Sequence, residues 1–441
     1  MLKITFLGAG STVFARNVLG DVMCTPALRE CEIALYDIDG QRLQESEQIL
    51  QTINRNVNEN RAVIRSYLGE ENRKDALRGA SFVVNAIQVG GYDPCTVIDF
   101  EIPKKYGLRQ TIADTLGIGG IMRALRTIPV MEEFARDMEE VCPEAWLLNY
   151  TNPMAMLTGY MLRYTKIKTV GLCHSVQVCS ETLLNKLDMA DRLEGRKELI
   201  AGINHMGWLL EIRDRDGNDL YPEIRRRARE MNEQKQHDDM VRFDYIGNFG
   251  YYCTESSEHN AEYNPFYIKA KAPELIERFN IPLDEYPRRC IHQIDEWNSL
   301  SRRLLQDADL THSRTREYAS YIMEAICTDS PIRIGGNVLN TGHLISDFPE
   351  QACVEVPCLV DGAGIHPTHV GALPPVLAAM NMTNINPQLL TIHAARTRKR
   401  EDIYRAAMLE PRCAAELTVD EIRAMVDEMI EAHGSYMQMY D

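Results

Sequence analysis

Three predicted strands of this 441-residue chain are followed by polar residues that could hold a metal ion and a sugar. These residues are Asn149-Tyr150-Thr151-Asn152-Pro153, Cys173-His174-Ser175 and Asn204-His205. The carboxyl ends of parallel strands meet at one edge of a sheet, which is where ligands bind. Because thiolates and imidazoles are both metal ligands, Cys173 and His205 could together hold a divalent metal at that edge.

Each of these two residues also has an ordinary structural explanation. A cysteine that ends a buried strand, as Cys173 does, is usually part of the core. His205 lies in Asn-His-Met, where it could be a hydrogen-bonded core or loop residue. Metal sites recognised from sequence normally show three or four ligands at fixed spacing. The residues alone therefore leave core packing and metal binding open.

A glycine-rich turn near the start of the chain is typical of a dinucleotide site. The predicted strand 3–7 runs into Gly8-Ala9-Gly10-Ser11-Thr12-Val13 and then into a helix. Glycines let the backbone turn sharply and approach a pyrophosphate, which lies at the helix N-terminus. Because Val13 replaces the third glycine of the usual pattern, a plain strand–turn–helix is the alternative.

The end of the second predicted strand, 32–36, strengthens the cofactor hypothesis. Asp37 could accept hydrogen bonds from both hydroxyls of an adenosine ribose, and it would repel a 2′-phosphate, so NAD is favoured over NADP. Its separation from Gly8 is longer than the usual ~20 residues, which requires an extended connecting helix. The alternative is that Asp37 or Asp39 caps the helix that follows.

Strands and helices alternate through residues 1–195, which predicts an α/β fold with a Rossmann-type, doubly wound parallel sheet. We expect strands at 3–7, 32–36, 62–66, 81–87, 145–149 and 168–172, and helices at 12–23, 41–57 and 120–140. The rest of the chain predicts an α+β region, with strands at 209–213, 332–337 and 352–359 and helices at 222–234, 315–328, 386–410 and 419–433. The prediction is two closely packed domains, a NAD-binding domain at 1–195 and an α+β substrate, metal and oligomerisation domain at 196–441.

The composition disfavours several classes of protein. The 64 acidic and 48 basic residues give a net charge of −16, which repels phosphate backbones and disfavours nucleic-acid binding. No apolar run approaches the ~18–20 residues that a membrane helix needs, and the start lacks the cleavage site of a secretory signal. We therefore expect a cytoplasmic protein, and in a reducing cytosol most of its 12 scattered cysteines should be free thiols.

Six sequence runs together indicate a family. They are ITFLGAGS at 4–11, QVGG at 88–91, TIADTLG at 111–117, NYTNP at 149–153, GLCHSV at 171–176 and GINH at 202–205. On these runs the chain resembles glycoside hydrolase family 4, the NAD- and metal-dependent glycosidases, nearly from end to end. Lactate and malate dehydrogenases share the fold that this resemblance implies, but they do not share these runs.

Within the family, the residues that follow the metal-binding cysteine separate substrate groups. Members that act on 6-phosphorylated sugars have Cys-Asp or Cys-Asn, then one residue and a proline. This chain has Cys173-His174-Ser175-Val176, the form associated with α-galactosidases of the melibiase type. The runs TESSEH at 254–259 and Glu262-Tyr263 also resemble that subgroup. The alternative within the family is an α-galacturonidase or another uronic-acid α-glycosidase, whose members share the Cys-His start.

The resemblance implies hydrolysis of terminal α-D-galactosides by oxidation with NAD at carbon 3, metal-assisted elimination, addition of water and re-reduction. Mn²⁺ or another divalent metal would be bound by Cys173 and His205. The sugar would be bound by Asn152 near carbons 2 and 3 and by Asp114, for which a turn or helix cap is the alternative. The implied NAD contacts are Gly8, Gly10, Ser11, Thr12, Asp37 and Asn149. Family members are commonly homodimers or homotetramers.

The proton-transfer residues are less well defined by the resemblance. His174 occupies the position of a catalytic aspartate in phospho-sugar members, and an imidazole could serve as general acid. Candidate bases are Tyr263, His259 and Glu258. A tyrosine, with an ordinary pKa of ~10, would need a nearby cation, whereas Glu258 and His259 could simply pair with each other. A hydroxy-acid dehydrogenase and a non-catalytic NAD sensor are the alternatives outside the family.

Overall fold

The computed structural model describes residues 1–441, except for the side chain of residue 298. The strands are β1 Leu2–Leu7, β2 Cys31–Asp37, β3 Val63–Leu68, β4 Phe82–Asn85, β5 Trp146–Asn149, β6 Lys168–Gly171, β7 Lys197–Ile203, β8 Met206–Arg213, β9 Tyr252–Cys253, β10 Ile332–Leu339, β11 Cys353–Asp361 and β12 Gly364–Pro367. The helices are α1 Thr12–Cys24, α2 Gly40–Asn58, α3 Arg73–Leu77, α4 Val97–Lys105, α5 Gly117–Val141, α6 Met154–Tyr164, α7 His174–Lys186, α8 Tyr221–Gln234, α9 Met240–Phe249, α10 Ser257–Tyr263, α11 Glu274–Arg278, α12 Glu285–Gln306, α13 Tyr318–Thr328, α14 Pro375–Thr397, α15 Arg400–Met408, α16 Pro411–Glu416 and α17 Val419–His433.

The first half of the chain forms a doubly wound parallel sheet. Its strands lie in the order β3-β2-β1-β4-β5-β6, and every neighbouring pair is parallel. Successive side chains of a strand point to opposite faces, so Val83 and Val84 of β4 enter two different hydrophobic clusters. Because both faces of the central strands are covered, β4 and β5 are mostly apolar, whereas the edge strand β3 is partly exposed and carries Arg65 and Ser66. The predicted α/β fold class is confirmed.

The sheet continues into the second half of the chain. β6 pairs antiparallel with β10 through Gly171 and Asn337, and the order beyond that point is β10-β11-β7-β8-β9. A side chain at Gly171 would place its Cβ 2.8 Å from Cβ of Asn337 and 2.6 Å from Oγ1 of Thr158, so only glycine fits at this join. The two halves therefore share one mixed sheet, and the strand ends of both halves lie near one another.

One predicted helix is wrong. The sequence favours a single helix at 386–410, but the chain forms α14 and α15, which are separated at Arg398. Arg398 has a φ of 63°, in the left-handed region, where an α-helix cannot continue. The hydroxyl of Thr397 donates to Oδ2 of Asp402 at 2.7 Å, which closes the turn.

The lengths and compositions of the helices bear on whether the chain could cross a membrane. Within the part of the chain that the structure describes, none combines the length and the apolar character that crossing a bilayer requires.

Candidate functional site

The glycine-rich turn after β1 has the geometry of an anion-binding site. Gly8 has a φ of 84°, and a Cβ at this position would lie 2.7 Å from the carbonyl oxygen of Ala86. The turn leads directly into α1, with Ser11 at the N-cap position. Backbone N–H groups at a helix N-terminus attract phosphate groups, so this turn could hold the pyrophosphate of a dinucleotide.

The structure separates the two roles that the sequence left open for Asp37 and Asp39. Asp39 caps α2, because its side chain accepts a hydrogen bond from the N–H of Arg42 at 3.1 Å. Asp37 instead accepts from the N–H of Gly10 at 2.6 Å and from the N–H of Asp39 at 2.9 Å. The Asp37 carboxylate is half-buried beside the glycine-rich turn, which is the place where a ribose would meet it.

Two other residues expected at the cofactor point into the protein. Thr12 is buried, and its hydroxyl accepts a hydrogen bond from Ser46 at 2.8 Å. Asn149 is fully buried; its side chain accepts from Asn85 at 2.9 Å and donates to Thr158 at 3.1 Å. In this arrangement both side chains support the turn and the strand ends from within.

A potential metal centre lies where the two halves of the sheet meet. Cys173, His205 and Glu255 each offer one ligand atom, and these atoms lie within 4.8 Å of one another. Cys173 lies between β6 and α7, His205 lies in the β7–β8 turn, and Glu255 lies between β9 and α10. Both His205 and Glu255 have a φ of 63°, so the backbone turns sharply at each of them.

Glu255 is absent from the expected set of ligands. It belongs to the run TESSEH at 254–259, which contributed to the family resemblance. The sequence analysis assigned no role to Glu255 itself. The only available signal was a glutamate four residues before His259, and such spacing is common in ordinary helices and turns. The pairing of β8 with β9 is what brings this residue to His205.

The electrostatics of this centre favour a positive charge. Burial of His205 opposes its protonation, but the charges of Cys173 and Glu255 outweigh that effect and raise the pKa of the imidazole to about 10. Burial also acts to raise the pKa of Glu255, yet His205 and His259 lower it to about 2. The centre therefore stabilises a positive charge at the position that a metal cation would take. Thiolate, imidazole and carboxylate form a donor set that suits a divalent transition metal.

The side chains around His205 fix the orientation of its ring. Nδ1 of His205 is hydrogen-bonded to Oη of Tyr263 at 3.0 Å, and Nε2 faces Oε2 of Glu255 at 3.3 Å. The ring of His259 lies edge-on at a centroid distance of 5.1 Å, and its Nδ1 is hydrogen-bonded to Oγ of Ser256 at 2.7 Å. Such partners of a ligand histidine leave one defined nitrogen for the metal.

The three candidate bases are not in one place. Tyr263 and His259 both adjoin His205, and burial raises the pKa of the Tyr263 hydroxyl well above its ordinary value. The carboxylate of Glu258 lies instead against the guanidinium of Arg289, at 2.6 Å. This ion pair gives Glu258 a structural partner other than His259.

His174 has a carboxylate partner that sequence reasoning missed. Nε2 of His174 lies 2.8 Å from both carboxylate oxygens of Glu317, and this hydrogen bond raises the pKa of the ring above its usual value. The half-exposed imidazole lies beside the ring of Tyr150 at a centroid distance of 5.8 Å. Because Glu317 is 143 residues away along the chain, no local pattern could reveal this pair.

The structure brings together Asp114 and Asn152, the two residues that the sequence analysis proposed separately for sugar binding. Nδ2 of Asn152 donates to Oδ2 of Asp114 at 3.3 Å, while Thr115 donates to Oδ1 at 2.7 Å. Leu116, not Asp114, stands at the N-cap of α5, so the cap alternative does not describe this aspartate. Among the described side chains, Oδ1 of Asn152 is buried with no protein partner, which leaves an acceptor for a ligand hydroxyl.

Comparison with known proteins places the whole chain. Residues 3–189 match the model of family 4 glycosyl hydrolases, and residues 200–413 match the model of their C-terminal domain. An α-galactosidase of Bacillus subtilis (strain 168) is 59% identical over 440 residues, covering 100% of both chains. An α-galactosidase of Rhizobium meliloti (strain 1021) is 34% identical and covers 99% of this chain and 89% of its own.

A solved structure shows the same fold. The 6-phospho-β-glucosidase from Thermotoga maritima, in a crystal with manganese, NAD⁺ and glucose-6-phosphate, superposes with a TM-score of 0.77. The alignment covers 99% of each chain at 19% sequence identity, so it is the architecture that the two proteins share.

Proposed function

The chain belongs to family 4 of the glycosyl hydrolases, and from this membership we propose that it is an α-galactosidase acting on terminal α-D-galactosides. The observation that supports this substrate most directly is the 59% identity with the Bacillus subtilis α-galactosidase over the whole chain. The Cys-His start of α7 supports it further, because the phospho-sugar pattern is absent there. A small-molecule galactoside is therefore the expected partner.

The proposal includes NAD and a divalent metal, with Mn²⁺ as the first choice. The turn at Gly8 and Gly10 with Asp37 supports NAD, and Cys173, His205 and Glu255 support the metal. The Thermotoga maritima enzyme, which was crystallised with both, supports the same pair. When bound, NAD would supply reversible oxidation at carbon 3 of the sugar, and the metal would polarise the oxygens on carbons 2 and 3.

The remaining functions, which are sugar binding and proton transfer, are assigned to side chains of the protein. Asn152 and Asp114 bind sugar hydroxyls, since they are joined to each other and Asn152 keeps a buried acceptor. His174 donates a proton to the departing glycosidic oxygen, and Glu317 holds its ring. Tyr263 and His259 are the candidates for taking the proton from carbon 2, because both adjoin His205. In this scheme residues 1–195 bind NAD, and residues 196–441 add His205, Glu255 and the candidate bases.

The proposal is tested by hydrolysis of p-nitrophenyl α-galactoside that carries deuterium at carbon 2. Mn²⁺, NAD⁺ and a thiol reductant are each present or omitted in turn. We expect activity only with all three, and loss of deuterium from the galactose product, because the carbon-2 proton is removed during turnover. Hydrolysis that needs neither NAD nor metal, or complete retention of deuterium, would overturn the proposed mechanism.

The same assay separates the alternatives. The same triple dependence on an α-galacturonide, with none on the galactoside, would make the enzyme an α-galacturonidase. Stoichiometric accumulation of NADH with a soluble hydroxy acid would indicate a dehydrogenase instead.

Replacement of Asp37 by asparagine is expected to weaken NAD binding about tenfold, because a charge-assisted hydrogen bond to the ribose becomes a neutral one. The preference for NAD over NADP should also narrow, since the carboxylate no longer repels a 2′-phosphate. Titration calorimetry with both dinucleotides measures this. Asp39→Asn is the matched control, because it makes the same chemical change two residues away in a helix cap that asparagine also fills. Equal NAD affinity for the two variants would contradict the ribose assignment.

A further inference from the structure

Helix α10 contacts both the metal centre and the loop that carries Asp114. At its C-terminal end, Tyr263 is hydrogen-bonded to His205 at 3.0 Å. The preceding residue, Glu262, turns its side chain toward residues 111–113, which lie 149 to 151 positions earlier in the chain. Glu262, to which the sequence analysis assigned no function, therefore lies between the two parts of the site.

The Glu262 carboxylate accepts hydrogen bonds from three successive backbone N–H groups. Oε2 accepts from Thr111 at 2.7 Å and from Ile112 at 3.2 Å, and Oε1 accepts from Ala113 at 2.8 Å. The residue is only 2% exposed, so water does not compete for these groups. The hydroxyl of Thr111 adds a further bond to the carbonyl oxygen of Glu258 at 2.7 Å.

These bonds hold a backbone conformation that the sequence does not favour by itself. Ala113 has a φ of 54°, in the left-handed region, which is unfavourable for a residue that carries a Cβ. Successive N–H groups around such a turn form a concave site for an anion. Burial raises the pKa of Glu262, and the bonds from Thr111 and Ala113 act in the opposite direction by stabilising the carboxylate.

We propose that Glu262 is a positioning residue for sugar binding, whose carboxylate fixes the backbone of residues 111–113 so that Asp114 meets Asn152. Asp114 directly follows the held segment, and its bond to Asn152 depends on where that segment lies. The inference rests on the proposed function, because it takes Asp114 and Asn152 as the sugar-binding pair. An amide at 262 would turn an NH₂ group toward the backbone N–H groups, so glutamine cannot replace the carboxylate here.

The test compares Glu262→Gln with wild type on p-nitrophenyl α-galactoside with Mn²⁺ and NAD⁺ present. We expect KM to rise about tenfold while kcat changes less than threefold, since the displaced loop weakens sugar binding. Mn²⁺ affinity, measured by electron paramagnetic resonance without turnover, should stay within twofold of wild type. Glu262→Asp, which keeps the charge but shortens the reach, should give an intermediate KM and serves if the glutamine variant does not fold.

Glu410→Gln is the matched control. Glu410 is equally buried, and its carboxylate also accepts from backbone N–H groups, those of Arg412 at 3.1 Å and Cys413 at 2.6 Å. Glu410 caps helix α16 and makes no bond to the backbone of residues 111–113, so its variant should lose thermal stability but keep the wild-type KM.

The outcomes distinguish this inference from the proposed function. A folded Glu262 variant with the wild-type KM, or a KM rise shared by Glu410→Gln, would overturn the positioning role alone. A wild-type enzyme that does not hydrolyse the galactoside would overturn the proposed function, and the inference with it.

Discussion

Cys173→Ser should lower kcat/KM for galactoside hydrolysis by about a thousandfold while NAD binding stays unchanged. The hydroxyl of serine is not deprotonated near neutral pH, so the centre loses an anionic ligand and with it the metal. A metal that polarises substrate oxygens contributes several kcal/mol to the transition state, and about 4 kcal/mol corresponds to this factor. Steady-state kinetics, Mn²⁺ binding by electron paramagnetic resonance and NAD titration measure the three effects separately.

Cys179→Ser provides the control for this substitution. Cys179 is a buried thiol on the same helix, α7, and packs in the core instead of facing the metal centre. Its variant should lose some stability, because a hydroxyl replaces a thiol in an apolar setting, but it should keep Mn²⁺ binding. Full activity of Cys173→Ser would remove this cysteine from the set of metal ligands.

The second large effect is expected from Glu255→Gln. The substitution keeps the shape of the side chain but removes its negative charge, so we expect Mn²⁺ affinity to fall about 100-fold, the upper end of what partners of a metal site contribute. Activity at limiting Mn²⁺ should fall in proportion, and excess Mn²⁺ should restore most of it. A full Mn²⁺ titration of the kinetics at saturating NAD⁺ separates lost affinity from lost turnover.

Glu181→Gln, on the helix α7 that follows Cys173, is the control for this substitution. Glu181 lies on α7, its carboxylate is paired with the exposed Arg316, and Glu181→Gln should leave the Mn²⁺ titration unchanged. If Glu255→Gln binds Mn²⁺ as wild type does, Glu255 is neither a metal ligand nor a partner on which the metal site depends.

The sequence predicts the parallel half of this protein well, and the reason is physical. Strands buried on both faces appear as short apolar runs, and helices between them show their own period, so each element is visible locally. Polar residues after such strands, including Cys173 and Asn152, are visible for the same reason. The helix break at Arg398 is not, because it depends on a left-handed residue that has no glycine to mark it.

The missing parts of the site come from long-range contacts. Glu317 reaches His174 across 143 residues, and Glu262 reaches Thr111 across 151. In the sequence, each of these glutamates cannot be told apart from an ordinary surface residue, because its partner lies in the distant first half of the chain. Glu255 is the clearest case, because the short strand β9 delivers it to His205.

The shared sheet has a consequence for how the protein is made. The chain leaves the parallel half at Gly171 and returns to pair there at Asn337, 166 residues later. At a synthesis rate of about 5–20 residues per second, the edge of β6 stays open for roughly 8–33 s on each ribosome. An open strand edge is a template for pairing with another chain. Until β10 has been made, the β6 edge of one nascent chain is therefore open to pairing with a neighbouring copy on the same messenger.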